Sequence, residues 1–176
     1  MTAPATPVLH YVPYDRFVVD VEAIAGALAA DGWRPDHIVG VGRGGLVPAT
    51  YLSHRTGIPM LSVDWSARVP GFAGALLETL AEMGAGGARL LFVDDINDSG
   101  ETIRTLDALM RRAGGAAAGH RFAVLLDNSR SVARVHYRAR EIDRAVDKDW
   151  FVFPWEAMAT AEALAGEARE VPERLE

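Results

Sequence analysis

The 176-residue sequence contains no cysteine. Disulfides, thiolate metal sites, iron–sulfur clusters and cysteine nucleophiles are therefore excluded. Lysine is almost absent. Lys148 stands alone among 18 basic residues, so any reaction step that needs a lysine has one candidate. No apolar run approaches the roughly 18 residues of a membrane-spanning helix. Residues 1–7 lack the basic-then-apolar order of a secretory signal. A cytoplasmic protein with no membrane contact is the expectation. Positive charge is not in excess: 24 acids against 18 bases leave a net charge of −6. That balance argues against a nucleic-acid partner, because phosphate backbones need a basic face. The phosphate-loop pattern GxxxxGK followed by Ser or Thr is missing, and Gly42-Arg43-Gly44-Gly45 does not have the GxGxxG spacing. The five histidines have no close metal-ligand spacing.

What is present is the composition of an ordinary globule, 49 % hydrophobic and 24 % charged. The length favours one domain, expected over residues 8–176 behind a frayed end at 1–7. Short apolar runs at 8–12, 37–41, 60–63, 88–93, 122–126 and 151–153 read as strands. Helical spacing marks residues 15–30, 46–55, 99–112 and 157–170. Strands alternating with helices predict an α/β fold with a central, mostly parallel sheet flanked by helices. Residues 65–87 and 128–148 fit no strand–helix–strand unit. Loops of that length usually carry function or small structure of their own. The run from Arg130 to Arg144 alternates its charges with Glu141 and Asp143, which predicts a solvated or dimer-facing helix.

The stretch that carries chemistry is residues 90–102. A strongly apolar strand delivers Asp94 and Asp95 to the carboxyl edge of the sheet, where open α/β folds bind ligands. Asp98-Ser99-Gly100-Glu101-Thr102 then leads directly into a helix. Backbone N–H groups, the positive helix end and the Ser99 and Thr102 hydroxyls form a phosphate cradle. Gly100 is expected to let the backbone approach the anion. Three acids at one edge repel each other unless a ligand or Mg²⁺ answers them. A phosphorylated sugar, with a phosphate for the loop and hydroxyls for the acids, meets both demands.

On these residues the sequence resembles the type I phosphoribosyltransferases. Residues 93–102, Val-Asp-Asp-Ile-Asn-Asp-Ser-Gly-Glu-Thr, are similar to that family's phosphoribosyl pyrophosphate motif. Residues 41–49 are similar to the pyrophosphate loop of bacterial xanthine–guanine phosphoribosyltransferases, and residues 150–156 to their purine-binding end. The resemblance covers about residues 8–158 and implies the family's fold with a small hood, built from the N-terminal segment and about 128–158, and a mobile lid at about 65–87. It implies transfer of a 5-phosphoribosyl group from phosphoribosyl pyrophosphate to a purine, of the 6-oxopurine kind, in purine salvage. Asp94 and Asp95 would hold the ribose and Mg²⁺. Asp98, Ser99, Gly100, Glu101 and Thr102 would hold the 5′-phosphate, with Asp98 also the general base. Arg43, Gly44 and Arg68 would hold pyrophosphate. Trp150 would stack on the base and the Phe151 backbone would read its edge. A homodimer or homotetramer is implied. The sequence departs from the family where a lysine should follow the strand at 122–126: it reads Asp127-Asn128-Ser129-Arg130. Asn128, Arg130 or Lys148 could substitute. Alternatives are a transferase for another base, or a non-catalytic sensor of phosphoribosyl pyrophosphate on the same fold.

Overall fold

The computed structural model describes residues 7–64, 72–112 and 119–169. The elements follow as β1 (Leu9–Tyr11), α1 (Tyr14–Asp31), β2 (His37–Val41), α2 (Gly42–Thr56), β3 (Met60–Val63), α3 (Phe72–Ala85), β4 (Leu90–Asn97), α4 (Glu101–Arg112), β5 (His120–Asn128), β6 (Tyr137–Ile142), β7 (Trp150–Val152) and α5 (Ala161–Arg169). A single 3₁₀ turn, Pro154–Glu156, precedes α5.

Five strands form one parallel sheet in the order β3-β2-β4-β5-β6. Strand alternation explains why both faces are covered. On β4, Leu91 and Val93 face a core shared with α1 and α2, while Leu90 and Phe92 face the core shared with α3 and α4. From β2 the chain winds through α2 to β3, and from β4 it winds through α4 to β5 on the other side. The winding direction therefore reverses between the neighbouring strands β2 and β4, and such a reversal opens a crevice at the carboxyl edge. A separate two-stranded parallel sheet pairs β1 with β7, Leu9 opposite Trp150 and Tyr11 opposite Val152.

Several boundaries differ from the sequence reading. Helix α2 starts at Gly42 rather than at 46, so the glycines form its first turn. Strand β4 continues through Asp94 and Asp95 to Asn97 instead of ending at the acids. Residues 72–85, expected within a lid loop, form helix α3, because Leu77, Leu80 and Ala81 bury one face of it. The expected helix at 130–144 is instead edge strand β6, whose exposed Arg138 and Glu141 suit the rim of a sheet. The last helix begins at Ala161 rather than 157, since the Glu156 side chain folds back to accept the Phe153 N–H at 2.8 Å and closes the preceding turn. Among the described residues no helix is long and apolar enough to cross a membrane.

Candidate active site

Two helix N-termini flank the crevice. Helix α2 begins at Gly42 directly after β2, and α4 begins at Glu101 after β4. Their leading N–H groups have no intrahelical acceptors, and each helix end carries positive potential. Between them the carboxyl end of β4 supplies Asp94 and Asp95.

The packing at α2 is tight enough to require glycine. A methyl group on Gly45 would fall 2.0 Å from the Val93 carbonyl oxygen, so α2 lies directly on β4. One on Gly44 would fall 2.5 Å from Asp95 Oδ2. The Asp95 carboxylate thus sits against the first turn of α2 and also accepts the Ile96 N–H at 2.7 Å. Asp94 Oδ1 accepts the Asp95 N–H at 3.0 Å. Burial, reinforced by the Asp95 charge, pushes the Asp94 carboxyl well above the ordinary carboxylate range.

Arg43, Gly44, Asp94 and Asp95 line one cleft of about 690 Å³, together with Trp155, Glu156 and Glu167. Arg43 is exposed, and its Nη2 lies 3.4 Å from Glu167 Oε1 on α5. Burial, with the charges of Asp95 and Glu167, raises the Glu156 carboxyl. Ser99 and Glu101 line a different hollow beside Arg104, Thr105 and Val132. Ser99 Oγ accepts the Glu101 N–H at 3.3 Å, and Arg104 N–H bonds the Gly100 carbonyl at 3.0 Å, the first turn of α4. Gly100 has φ of +90°, and a methyl group there would lie 2.6 Å from Ala133 N. Its glycine is thus required by the 131–133 segment behind it, a reason beyond the expected approach of an anion.

Asp98 is not an unanswered acid, as the sequence suggested. Its carboxylate meets Arg144: Nε lies 3.2 Å from each oxygen and Nη2 3.1 Å from Oδ2. Asn128, one candidate for the missing lysine, is buried and used internally. Its Nδ2 donates to the Asp98 carbonyl at 3.1 Å, and its Oδ1 accepts the Arg130 and Arg144 N–H groups, each at 3.2 Å. Arg130, a second candidate, is exposed and paired with Asp143 at 2.5 Å.

Trp150 and Phe151 lie on β7. The Phe151 ring is buried in the core, and the Arg144 guanidinium carbon lies 5.2 Å from its centroid. The β1–β7 bonds use Trp150 N–H, to Val8 O at 2.8 Å, and the Val152 carbonyl, which accepts Val12 N–H at 2.8 Å. Strand alternation turns the Phe151 N–H and C=O toward the opposite edge of this two-stranded sheet. Arg68 and most of the lid expected before α3 lie outside the described residues. The structure therefore brings Arg43, Gly44, Asp94 and Asp95 into one cleft, and places the Asp98 loop and β7 beside each other through Arg144. Sequence reasoning missed Arg144. Its only signal was a place in a charge-alternating run, with its carboxylate partner 46 residues away.

Residues 12–160 of this chain match the phosphoribosyl transferase domain family. A xanthine-guanine phosphoribosyltransferase of Cereibacter sphaeroides is 29 % identical over 157 residues, covering 83 % of this chain and 86 % of its own. An adenine phosphoribosyltransferase of a Synechococcus species is 29 % identical over 110 residues, 57 % of this chain and 63 % of its own. The crystal structure of a purine phosphoribosyltransferase from Pyrococcus horikoshii superposes with a TM-score of 0.63 at 23 % identity, covering 86 % of this chain and 97 % of that one.

Proposed function

The chain belongs to the phosphoribosyltransferase family, a glycosyltransferase-type class of enzymes, and on that premise we propose that it transfers the 5-phosphoribosyl group of phosphoribosyl pyrophosphate to a purine base. In that reaction the C1–oxygen bond to pyrophosphate breaks, a bond from C1 to a ring nitrogen forms, and the nitrogen's proton leaves. The carrying observation is a pair of helix N-termini at the carboxyl edge of the neighbouring strands β2 and β4, the α2 end sharing a cleft with the Asp94 and Asp95 carboxylates and the α4 end lining a second hollow. One positive end suits the 5′-phosphate and the other the pyrophosphate.

The roles follow from position. Ser99, Gly100, Glu101 and Thr102 open α4 and hold the 5′-phosphate. Arg43 and Gly44 open α2 and hold pyrophosphate. Asp94 and Asp95 accept bonds from the ribose hydroxyls. Trp150 stacks on the base, the outward Phe151 backbone reads its edge, and Asp98 accepts the departing proton.

Magnesium fits this floor. Two neighbouring carboxylates, one pushed toward its neutral form by burial and by the other's charge, gain from a shared cation. Among the described residues no group of three or more acidic or histidine ligands assembles. That suits Mg²⁺, which takes one or two carboxylates and completes its shell with water and substrate phosphate oxygens. Asp94 and Asp95 would hold it, and bound there it would neutralise the departing pyrophosphate.

A 6-oxopurine is the proposed base, on the likeness to the xanthine-guanine relative over most of both chains. The test is a panel of hypoxanthine, guanine, xanthine, adenine and pyrimidines with phosphoribosyl pyrophosphate and Mg²⁺, read as nucleotide formed. Turnover is expected with a 6-oxopurine and not with pyrimidines. A panel without turnover, alongside tight donor binding, would favour the sensor instead.

A further inference from the structure

Arg144 is buried, with 8 % of its side chain exposed against 17 % for Asp98. Its guanidinium faces three ways, with Nη2 at ion-pair distance from Asp98 but without a hydrogen bond. Nε and Nη2 face the Asp98 carboxylate, Nη1 donates to the carbonyls of Asp147 at 3.2 Å and Asp149 at 2.7 Å, and the plane lies over the Phe151 ring. Beneath it, the Asn128 amide bonds the Asp98 carbonyl and the Arg144 N–H. Asn128 and Arg144 thus close a ring that joins the β4–α4 loop to the segment entering β7.

Stability alone is a poor explanation for this ring. A buried ion pair is often no better than apolar residues of equal volume. What it does uniquely is fix one carboxylate against one wall. Lysine could not substitute, since the three donors of an ammonium leave one point, whereas here Nε meets the carboxylate and Nη1 the two carbonyls from separate positions on a rigid plane.

We propose that Arg144 is a positioning residue for the base half of the reaction: it holds the Asp98 carboxylate at a fixed place relative to Trp150 and Phe151. It thereby supplies the cation that the sequence lacks at Asn128, and supplies it to Asp98 rather than to the base. The inference rests on the proposed transferase function.

The test is a double-mutant cycle of Arg144→Met and Asp98→Asn with both substrates varied, and with thermal midpoints recorded. The double variant carries no lone buried charge, so it is the most secure to fold. Arg144→Met alone is expected to lower kcat/KM for the base by about 50-fold while leaving the donor KM within about threefold. In the Asp98→Asn background the same change should cost less than about threefold. Arg144→Lys should restore little, because it returns the charge without the fork. Where turnover of the Asp98→Asn proteins is too slow to rank, the four are ranked by calorimetric affinity for the product nucleotide, with the same coupling expected. Equal losses in both backgrounds, or a donor KM that rises with the base KM, would overturn the inference and leave the transferase intact. A wild-type protein that turns over no base overturns the transferase reading and this inference together.

Discussion

A methyl group at Gly44 collides with the tip of the Asp95 side chain, and one at Gly45 collides with the backbone of Val93. The two neighbours therefore have different consequences. A carboxylate can swing aside, so Gly44→Ala should leave the thermal midpoint within a few degrees while raising the donor KM about tenfold or more, because Asp95 moves. A strand carbonyl cannot, so Gly45→Ala should cost about 2 kcal/mol or more by pushing α2 off β4. Denaturant unfolding with donor titration separates the two; a destabilised Gly44→Ala with an unchanged donor KM would contradict the assignment. At this scale the placement of the acids at the end of β4 and of residues 99–102 at the start of α4 was legible because the pattern is local in sequence. Asp94, Asp95 and Ser99 to Thr102 lie within nine residues. The Arg144–Asp98 pair was not, since only the fold brings its halves together, and neither residue signals the other.

Elements were legible where apolar period and punctuation agreed. Strands at 37–41 and 60–63 and the helix ending at Gly32, which takes φ of +73°, came out as read. Helix α3 was hidden because Gly74 and Gly84 lower its intrinsic propensity, and its Leu77, Leu80 and Ala81 stripe counts only once a sheet face is there to cover. Strand β6 was hidden because its arginines follow a pattern that helix and edge strand share. Helix α1 is tied to the rest by rings. Phe17 is 1 % exposed and lies edge-on to Tyr51 of α2 at 4.8 Å and to Trp155 at 5.4 Å between centroids. Removing it opens a cavity beneath both α2 and the turn that lines the cleft. Phe17→Ala should cost about 3–5 kcal/mol in urea unfolding, and a loss under about 1 kcal/mol would mean that this aromatic cluster does not hold α1.

The pH response belongs to the whole molecule. Partial desolvation of a side chain that stays largely exposed, then the charges of Arg121 and His120, lowers the His136 imidazole below its ordinary value, and its Nδ1 accepts the Phe122 N–H at 3.2 Å. A base depressed on folding contributes stability that is intact above its unfolded pKa of about 6.5 and is lost as pH falls from there through the folded value. Asp31 is lowered by Tyr137 and Arg121, Asp36 by Arg89, and Asp143 by Arg130. Their contributions are intact above the ordinary carboxylate range and are lost below it. The raised Asp94 and Glu156 carboxyls work the other way and favour the fold as they protonate; against that background two stages of loss are expected in acid, one beginning just under pH 6.5 that is absent in His136→Gln and one beginning near pH 4. Denaturant midpoints across pH 3–8 for both proteins provide the measurement, and a first stage that persists in His136→Gln would refute its assignment. Tyr137, raised to about 12 by burial and by its bond to Asp31, adds the mirror effect in alkali, where stability present below pH 10 is lost on the way to that value.

The small sheet makes the amino end a mechanical part of the wall that carries Trp150 and Phe151. Val8 and Val12 clasp Trp150 and Val152 through backbone bonds that run in register. A pull at the start of the chain would load these bonds in shear and be felt first beside Phe151 and Arg144, before any strain reached the five-stranded sheet. If Trp150 and Phe151 hold the base as proposed, tethering the molecule to a surface through that end should tune base capture while sparing donor capture.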